Sequence, residues 1–424
     1  MTTTQRLIRV YADWAGLNGP QCVGVLAFDR VRGKNVFSFE YTADWLSSGR
    51  ALEIDPDLRL YRGQHYLGAD KLNFGVFMDS SPDRWGRLLM RRREAFCAKS
   101  EKRPVRPLSE VDYLLGVYDR QRMGAIRFQE GERDEFLTSD QRQASPPWTS
   151  LRELEHASLM FEREDEKTGA SELKWLNQLL APGSSLGGAR PKAGVVDDKD
   201  ALWIAKFPSR SDMWDMGAWE FVIHGLARRA GLCVPDAQCL KLTSHHHTFL
   251  SKRFDRRGDG QRLHFASAMT LTGHVDGTDA AAGASYLELS DFIIRHGTTP
   301  SVDLAEIWSR MVFNMCVCNT DDHLRNHGFL LADHNGWRLA PAYDINANPE
   351  GDSLTLNITE SDNRLDLDLA LEVAESFRLK LSEARKRIAE IRKAVSTWRT
   401  SASRMGLSRS EQEEMTPAFR LAEN

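Results

Sequence analysis

The sequence predicts an α+β chain of two lobes: a mixed α/β N-terminal part carrying a small β-rich subdomain, and a mostly α-helical C-terminal lobe. Three observations predict it. Strand-like apolar runs crowd the first hundred residues and recur from about 200 to 255. Beyond Ser285 the apolar residues fall at helical spacing. Polar, proline-containing stretches at 98–110 and 130–148 interrupt the chain. With 424 residues there is room for two or three domains of roughly 100–200 residues. The expected divisions are 1–105, 106–255 and 256–424.

Taken in order, Leu7–Ala12 and Cys22–Phe28 read as strands, and Val36–Tyr41 alternates apolar with polar residues. Ser81-Pro82-Asp83 opens a helix through Trp85, Leu88 and Leu89, with Ser at the cap and Pro in the first turn. A further break is expected at Arg163–Gly169. Leu202–Pro208 is a strand, and a helix follows through Met216, Trp219, Val222, Ile223 and Leu226. His245-His246-His247 lies between the strand-like segments Gln238–Thr243 and Thr248–Lys252, which makes it a hairpin turn rather than a metal site. Leu381, Ala384, Ile388, Ile391, Val395 and Trp398 mark an amphipathic helix packed on the helical lobe. Ser408 and Glu411 have capping-box spacing for a last helix.

Composition narrows the class. The chain is 41% hydrophobic and 27% charged, as in an ordinary globular protein. No apolar run approaches the roughly 20 residues of a membrane helix. The N-terminus shows no signal-peptide pattern, so a cytoplasmic location is expected. Six cysteines fit no zinc spacing and are expected to be buried free thiols. A net charge of −4 gives no global preference for nucleic acid. The local cluster Arg87, Arg91, Arg92, Arg93, Lys99, Lys102, Arg103 and Arg106 reads as a solvated face, with a phosphate-backbone contact as the other reading.

The chemistry concentrates in the segment Asn319-Thr320-Asp321-Asp322-His323-Leu324-Arg325-Asn326. It sets an Asp and an Asn five residues apart, and Tyr343-Asp344 follows at a strand end. A carboxylate to orient a hydroxyl, with an amide oxygen and a second carboxylate for one metal, is what phosphoryl transfer needs. Asp321 would orient the acceptor hydroxyl, while Asn326 and Asp344 would hold magnesium, a hard cation that favours oxygen. His323 reads as a scaffold, and Asp322 as solvated or structural. Upstream, the small residues of Ala181–Lys192 can close over phosphates because no bulky Cβ blocks them. This is not a P-loop, since Gly-Lys-Ser/Thr is absent. Lys206 sits in an apolar strand, and Glu220 in the next helix is placed to pair with it. Protein kinases orient a phosphate-binding lysine that way.

Together these residues resemble the HipA serine/threonine kinases, toxins of bacterial toxin–antitoxin pairs, and the resemblance runs along most of the chain. Ser80–Arg87 (SSPDRWGR) looks like the family's N-terminal signature, and Ser185–Lys192 (SLGGARPK) is similar to its glycine-rich loop. Ser251–Arg256 resembles the hinge that meets adenine, and Asn319–Asn326 with Ala342-Tyr343-Asp344 completes the set. The resemblance implies a protein-kinase-like fold with an N-terminal HipA-like subdomain (1–105), a nucleotide-binding N-lobe (106–255) and a helical C-lobe with the catalytic loop (256–424). It implies ATP and magnesium as cofactors and Asp321 as the catalytic carboxylate. Gly187, Gly188, Ala189, Arg190, Lys192 and Lys206 would surround the phosphates. Lys252, Arg253 and Phe254 would meet the base, with His323 and Tyr343 lining its pocket. Ser185 matches an autophosphorylated serine whose phosphate would repel those of ATP.

Also implied are an aminoacyl-tRNA synthetase as protein substrate (glutamyl-tRNA synthetase in the best-known branch), a helix-turn-helix antitoxin like HipB, and operator DNA reached mainly through it. Two departures from the family stand out: His264–Thr270 replaces a more acidic stretch, and Arg190-Pro191 stands where some members carry Gln-Glu. Two other functions stay open at this stage. One is a nucleotide-responsive co-repressor that joins an antitoxin on DNA; the other is a small-molecule phosphotransferase, since the loop does not name its acceptor.

Overall fold

Ile8, Val10 and Ala12 are fully buried while Leu7 is 53% exposed, so the period-two pattern puts one face of β1 (Arg6–Ala12) into a core. The computed structural model describes residues 5–31, 34–68, 70–131, 135–137, 146–162, 179, 188, 190–332 and 336–423. The expected break at 163–169 and much of 130–148 lie outside them. The chain divides into two compact units. Met1–Arg210 and Asp255–Ala266 form the first, Ser211–Phe254 and Ser267–Asn424 the second.

In the first unit β1 joins β2 (Gln21–Val31), β3 (Lys34–Tyr41), β4 (Gln64–Tyr66) and β5 (Ile126–Glu130) in an antiparallel sheet of order β4-β3-β2-β1-β5. The three early strands read from the sequence are all present. Phe39, Phe74, Phe77 and Phe128 interlock beneath the sheet, with ring centroids 5.8–6.5 Å apart. Arg122 is buried against this cluster and donates to the carbonyls of Ser80, Leu114 and Val117, each at 2.9 Å. Burial lowers its pKa to about 9. β6 (Lys192–Val196) and β7 (Leu202–Lys206) form an antiparallel hairpin in the same unit.

The helix after Ser81 starts two residues later than expected. Ser81 Oγ donates to Phe77 O at 2.8 Å, closing the preceding short helix Gly75–Asp79. Asp83 is the N-cap of Arg84–Ser100, accepting from Gly86 N at 2.8 Å. Three of the eight residues of the basic cluster are matched by carboxylates of their own unit. Arg87 makes a two-pronged pair with Glu110, Arg103 pairs with Glu94, and Arg106 pairs with Asp112. Arg91, Arg93, Lys99 and Lys102 stay exposed.

In the second unit β8 (Ala237–Leu240) and β9 (Thr248–Lys252) pair antiparallel around the histidine turn. His247 donates its backbone N–H to Asp215 Oδ1 at 2.8 Å, and its ring Nδ1 lies 2.6 Å from Asp215 Oδ2. Asp215 also caps the helix Met216–Arg229, so the turn is a helix fastening. Gly217 permits it, because a Cβ there would meet His247 O at 2.0 Å. β10 (Phe265–Ser267) begins in the first unit and ends in the second, where β11 (Gly328–Leu331) and β12 (Trp337–Leu339) form a hairpin.

The helix Pro300–Cys316 is buried on all sides from Ile307 onward and packs against Tyr286–His296 and Leu381–Val395. Ala384, Ile388, Ile391 and Val395 face inward as expected, but Leu381 is half exposed and Trp398 begins the next helix, Trp398–Arg404. Trp398 stacks on Phe419 at 4.3 Å and lies 6.0 Å from Trp219. The Ser408–Glu411 capping box is formed, yet Thr416–Phe419 and Arg420–Glu423 follow it as further helical turns. All six cysteines are free thiols; Cys316 and Cys318 are buried, but Cys233 is exposed, against expectation. No described helix is long and apolar enough to cross a membrane.

Two consequences are measurable. Trp398→Ala should lower stability by about 3–5 kcal/mol in urea denaturation, since it empties the centre of that aromatic cluster. His264, 1% exposed and stacked on Trp14 at 5.1 Å, has its pKa depressed to about 3 by burial. Its stabilising contribution is complete above the unfolded value near 6.5 and is lost as pH falls toward 3, by about 1.4 kcal/mol per pH unit. His264→Phe should flatten the urea midpoint between pH 6.5 and 4.

Candidate active site

The Asn319–Asn326 loop begins where the buried helix stops. Cys318 adopts a left-handed conformation with φ of 52°, turning the chain away from the helix axis. Asn319 then binds back: its N–H donates to Asn314 O at 2.8 Å and its Nδ2 to Asn314 Oδ1 at 3.2 Å. Thr320 is gripped from the 348–355 segment. Asn348 Nδ2 donates to its Oγ1 at 2.8 Å, and Thr355 Oγ1 to its carbonyl at 2.6 Å. Gly351 closes over it, and Arg420 donates to Gly351 O at 2.9 Å while lying 3.6 Å from Cys318 Sγ.

Within the loop Asp321 is exposed and Asp322 is buried. Asp322 accepts from the Tyr286 hydroxyl and lies 3.0 Å from His327 Nε2, so it is structural rather than solvated. Asn326 Nδ2 donates to the Asp321 carbonyl at 2.8 Å, which ties the two ends of the loop together. The other face of that amide is the informative one: Asn326 Oδ1 is buried and has no hydrogen-bond partner. His323 Nδ1 is also buried without one.

The second carboxylate is drawn alongside. Tyr343 Oη donates to Arg325 O at 2.7 Å, which ties the residue before Asp344 to the residue before Asn326. Asp344 is left-handed at φ 57°, and Asn346 bonds both to its Oδ1 at 3.3 Å and, through its own N–H, to Asn319 Oδ1 at 3.4 Å. Phe254 faces Tyr343 with rings 5.5 Å apart and 32° from parallel. Next to it Arg253 is buried, while Lys252 donates its N–H to Asp236 O and extends its ammonium to 3.9 Å from the Asp236 carboxylate.

The first unit holds the remaining predicted residues. Lys192 is 2% exposed and donates to Asp83 Oδ2 at 2.8 Å and to Gly188 O at 3.1 Å. Trp85 Nε1 donates to the Lys192 carbonyl at 3.1 Å. The SSPDRWGR segment thus fastens the end of the glycine-rich loop, a link that sequence spacing did not suggest. Gly188 has φ of 53°, a conformation glycine adopts without strain. Arg190 is half-buried, and Lys206 ends β7 opposite Lys192. Glu220 is buried in the helix Met216–Arg229 of the second unit. Ser185, Gly187 and Ala189 lie outside the described residues.

An oxygen-lined corner with an orphaned amide oxygen suits a hard cation. Among the described residues no three His, Cys, Asp or Glu side chains converge as a metal cage. A cation here would draw on Asn326 and Asp344 and keep other positions for water and phosphate oxygens, as magnesium does.

The family described as the HipA-like C-terminal domain matches residues 184–398, just over half of the chain and the whole of this corner. The chain belongs to that family. A protein of Sinorhizobium fredii named "Putative kinase Y4dM" is 25% identical over 351 residues, 73% of this chain and 79% of its own. A "Putative kinase" of Haemophilus influenzae is 24% identical over 180 residues, 38% of this chain and 52% of its own. Among solved structures, the Shewanella oneidensis MR-1 complex of HipA, HipB and operator DNA contains a chain that matches with a TM-score of 0.68 at 15% identity. The match covers 98% of this chain and 96% of that one. The fold is therefore the two-lobed, kinase-like fold of this family.

The grip on Thr320 makes a specific prediction. A Cβ at Gly351 would meet Thr320 Cγ2 at 2.3 Å and Cys318 Sγ at 3.1 Å. Gly351→Ala should cost about 1–3 kcal/mol through overpacking. It should also weaken Mg-dependent ADP binding, read as a smaller nucleotide-induced rise in Tm.

Proposed function

We propose that this protein is a Mg-ATP-dependent serine/threonine protein kinase acting as the toxin of a toxin–antitoxin pair. The observation that supports the reading is the buried, partnerless Asn326 Oδ1 in the loop of the exposed Asp321, with Tyr343, the neighbour of Asp344, bound to Arg325. Asp321 orients the acceptor hydroxyl and takes its proton as the phosphoryl group leaves ATP. Asn326 and Asp344 hold the cation. When bound, it neutralises charge on the phosphate oxygens. Lys206 and the 187–190 segment contact phosphates, while Lys192, its charge matched by Asp83, anchors that segment from below. The Lys252–Phe254 backbone and the Phe254–Tyr343 ring pair receive the base, with His323 at the pocket wall.

The protein substrate proposed is an aminoacyl-tRNA synthetase, and the self-modified residue Ser185. A helix-turn-helix antitoxin like HipB, seen with its HipA and operator DNA in the Shewanella oneidensis complex, is the proposed partner. That complex also favours a second reading, in which the main task is co-repression on DNA. Capture of a small helix-turn-helix protein together with zero ATP turnover would select it.

With radiolabelled ATP the purified chain should label itself at Ser185. Asp321→Asn should cut labelling by at least about a hundredfold, the size of a general-base contribution. Ser185→Ala should lose the self-label and keep labelling of the protein substrate, which phosphoproteomics after induction would identify. Undiminished labelling in Asp321→Asn would remove Asp321 from the mechanism.

A further inference from the structure

We infer that Asp322 and His327 form a buried positioning pair that sets the spacing and aim of Asp321 and Asn326; the inference rests on the phosphotransfer reading above. The two pairs share a five-residue interval, displaced by one position. Asp321 is exposed, whereas Asp322, Asn326 and His327 are 3%, 5% and 2% exposed. A carboxylate locked inward at 322 fixes the backbone from which the exposed Asp321 projects. His327 is locked one residue beyond Asn326, which ends the 3-10 turn Leu324–Asn326.

The lock is anchored outside the loop. The Tyr286 hydroxyl donates to Asp322 Oδ2, and Asp322 Oδ1 lies 3.0 Å from His327 Nε2, within ion-pair distance but without the geometry of a hydrogen bond. The edge of Tyr286 meets the His327 ring at 5.5 Å and 72°. Asn314 Nδ2 donates to Tyr286 Oη at 3.2 Å. Tyr286 itself opens the helix Tyr286–His296 behind a complete Ser285–Glu288 capping box. Two helices therefore hold Asp322 and His327, and one peptide bond passes that constraint to each proposed active-site residue.

Removing one partner leaves the other polar group buried without compensation. The loop must then shift to rehydrate it, carrying Asp321 and Asn326 along. A displacement of about 1 Å at reacting groups costs on the order of a hundredfold in rate. Neither Asp322 nor His327 touches the reacting atoms in this account; both act through their neighbours.

The test uses the full chain and the variants Asp322→Asn, His327→Gln and Tyr286→Phe. Two quantities are read: kcat and KM for ATP, and Mn2+ binding beside a non-hydrolysable ATP analogue, followed by the electron paramagnetic resonance of free Mn2+. Asp322→Asn and His327→Gln should lower kcat roughly tenfold to a hundredfold, hold KM within about threefold, and weaken Mn2+ binding at least about fivefold. The double variant should fall no further than the worse single one, because both changes break one pair. Tyr286→Phe keeps the ring and its packing, and should give the same pattern more weakly even if loss of the buried carboxylate impairs folding. A lower Tm with kcat per folded molecule and Mn2+ affinity unchanged would overturn the pair's role. Wild-type chain that binds no Mn2+ with the analogue would overturn the phosphotransfer reading itself, and the inference with it.

Discussion

The geometry of the site depends first on how the chain leaves the helix Pro300–Cys316. That helix is buried on all sides, so its end offers free carbonyls in a place water does not reach. Asn319 resolves this by returning to Asn314 through both backbone and side chain, after the left-handed step at Cys318. Each later contact builds on that turn. Asn346 reaches Asn319, Tyr343 reaches Arg325, and Asn326 reaches back to Asp321. Without the amide pair the carboxylates would be near in sequence and unrelated in space.

Much of this was legible in the chain. Period-two runs placed β1, β2 and β3, and helical spacing placed the inward face of Leu381–Val395. The Asp321–Asn326 spacing picked out a loop that does close on itself, through Asn326 Nδ2 and the Asp321 carbonyl, because its residues are close in sequence. Less legible were relations set by long-range packing. Lys192 was expected at the phosphates, and the sequence gives no sign that Asp83, 109 residues away, matches its charge. Asp322 read as solvated or structural, and nothing local chooses between the two because its partner Tyr286 lies 36 residues upstream. The cap of the helix Arg84–Ser100 moved from Ser81 to Asp83 because the Ser81 hydroxyl was already used by the turn before it.

Charge is handled in the same way in both units. Some formal cations that look like a binding surface in sequence are matched locally, as with Arg87, Arg103 and Arg106. Arg122 is buried to the point that its pKa falls to about 9, and it serves as a three-way clasp on backbone carbonyls. Even the histidine triplet is used for fastening, through Asp215. Within the Asn319–Asn326 loop the buried side-chain atoms left without a partner are Asn326 Oδ1 and His323 Nδ1.

Arg420 holds Gly351 and approaches Cys318, 102 residues before it, at the root of the loop. This gives the loop a place in time as well as in space. A ribosome making this chain reaches Arg420 102 residues after Cys318, so the nascent loop lacks this brace until that later segment has emerged.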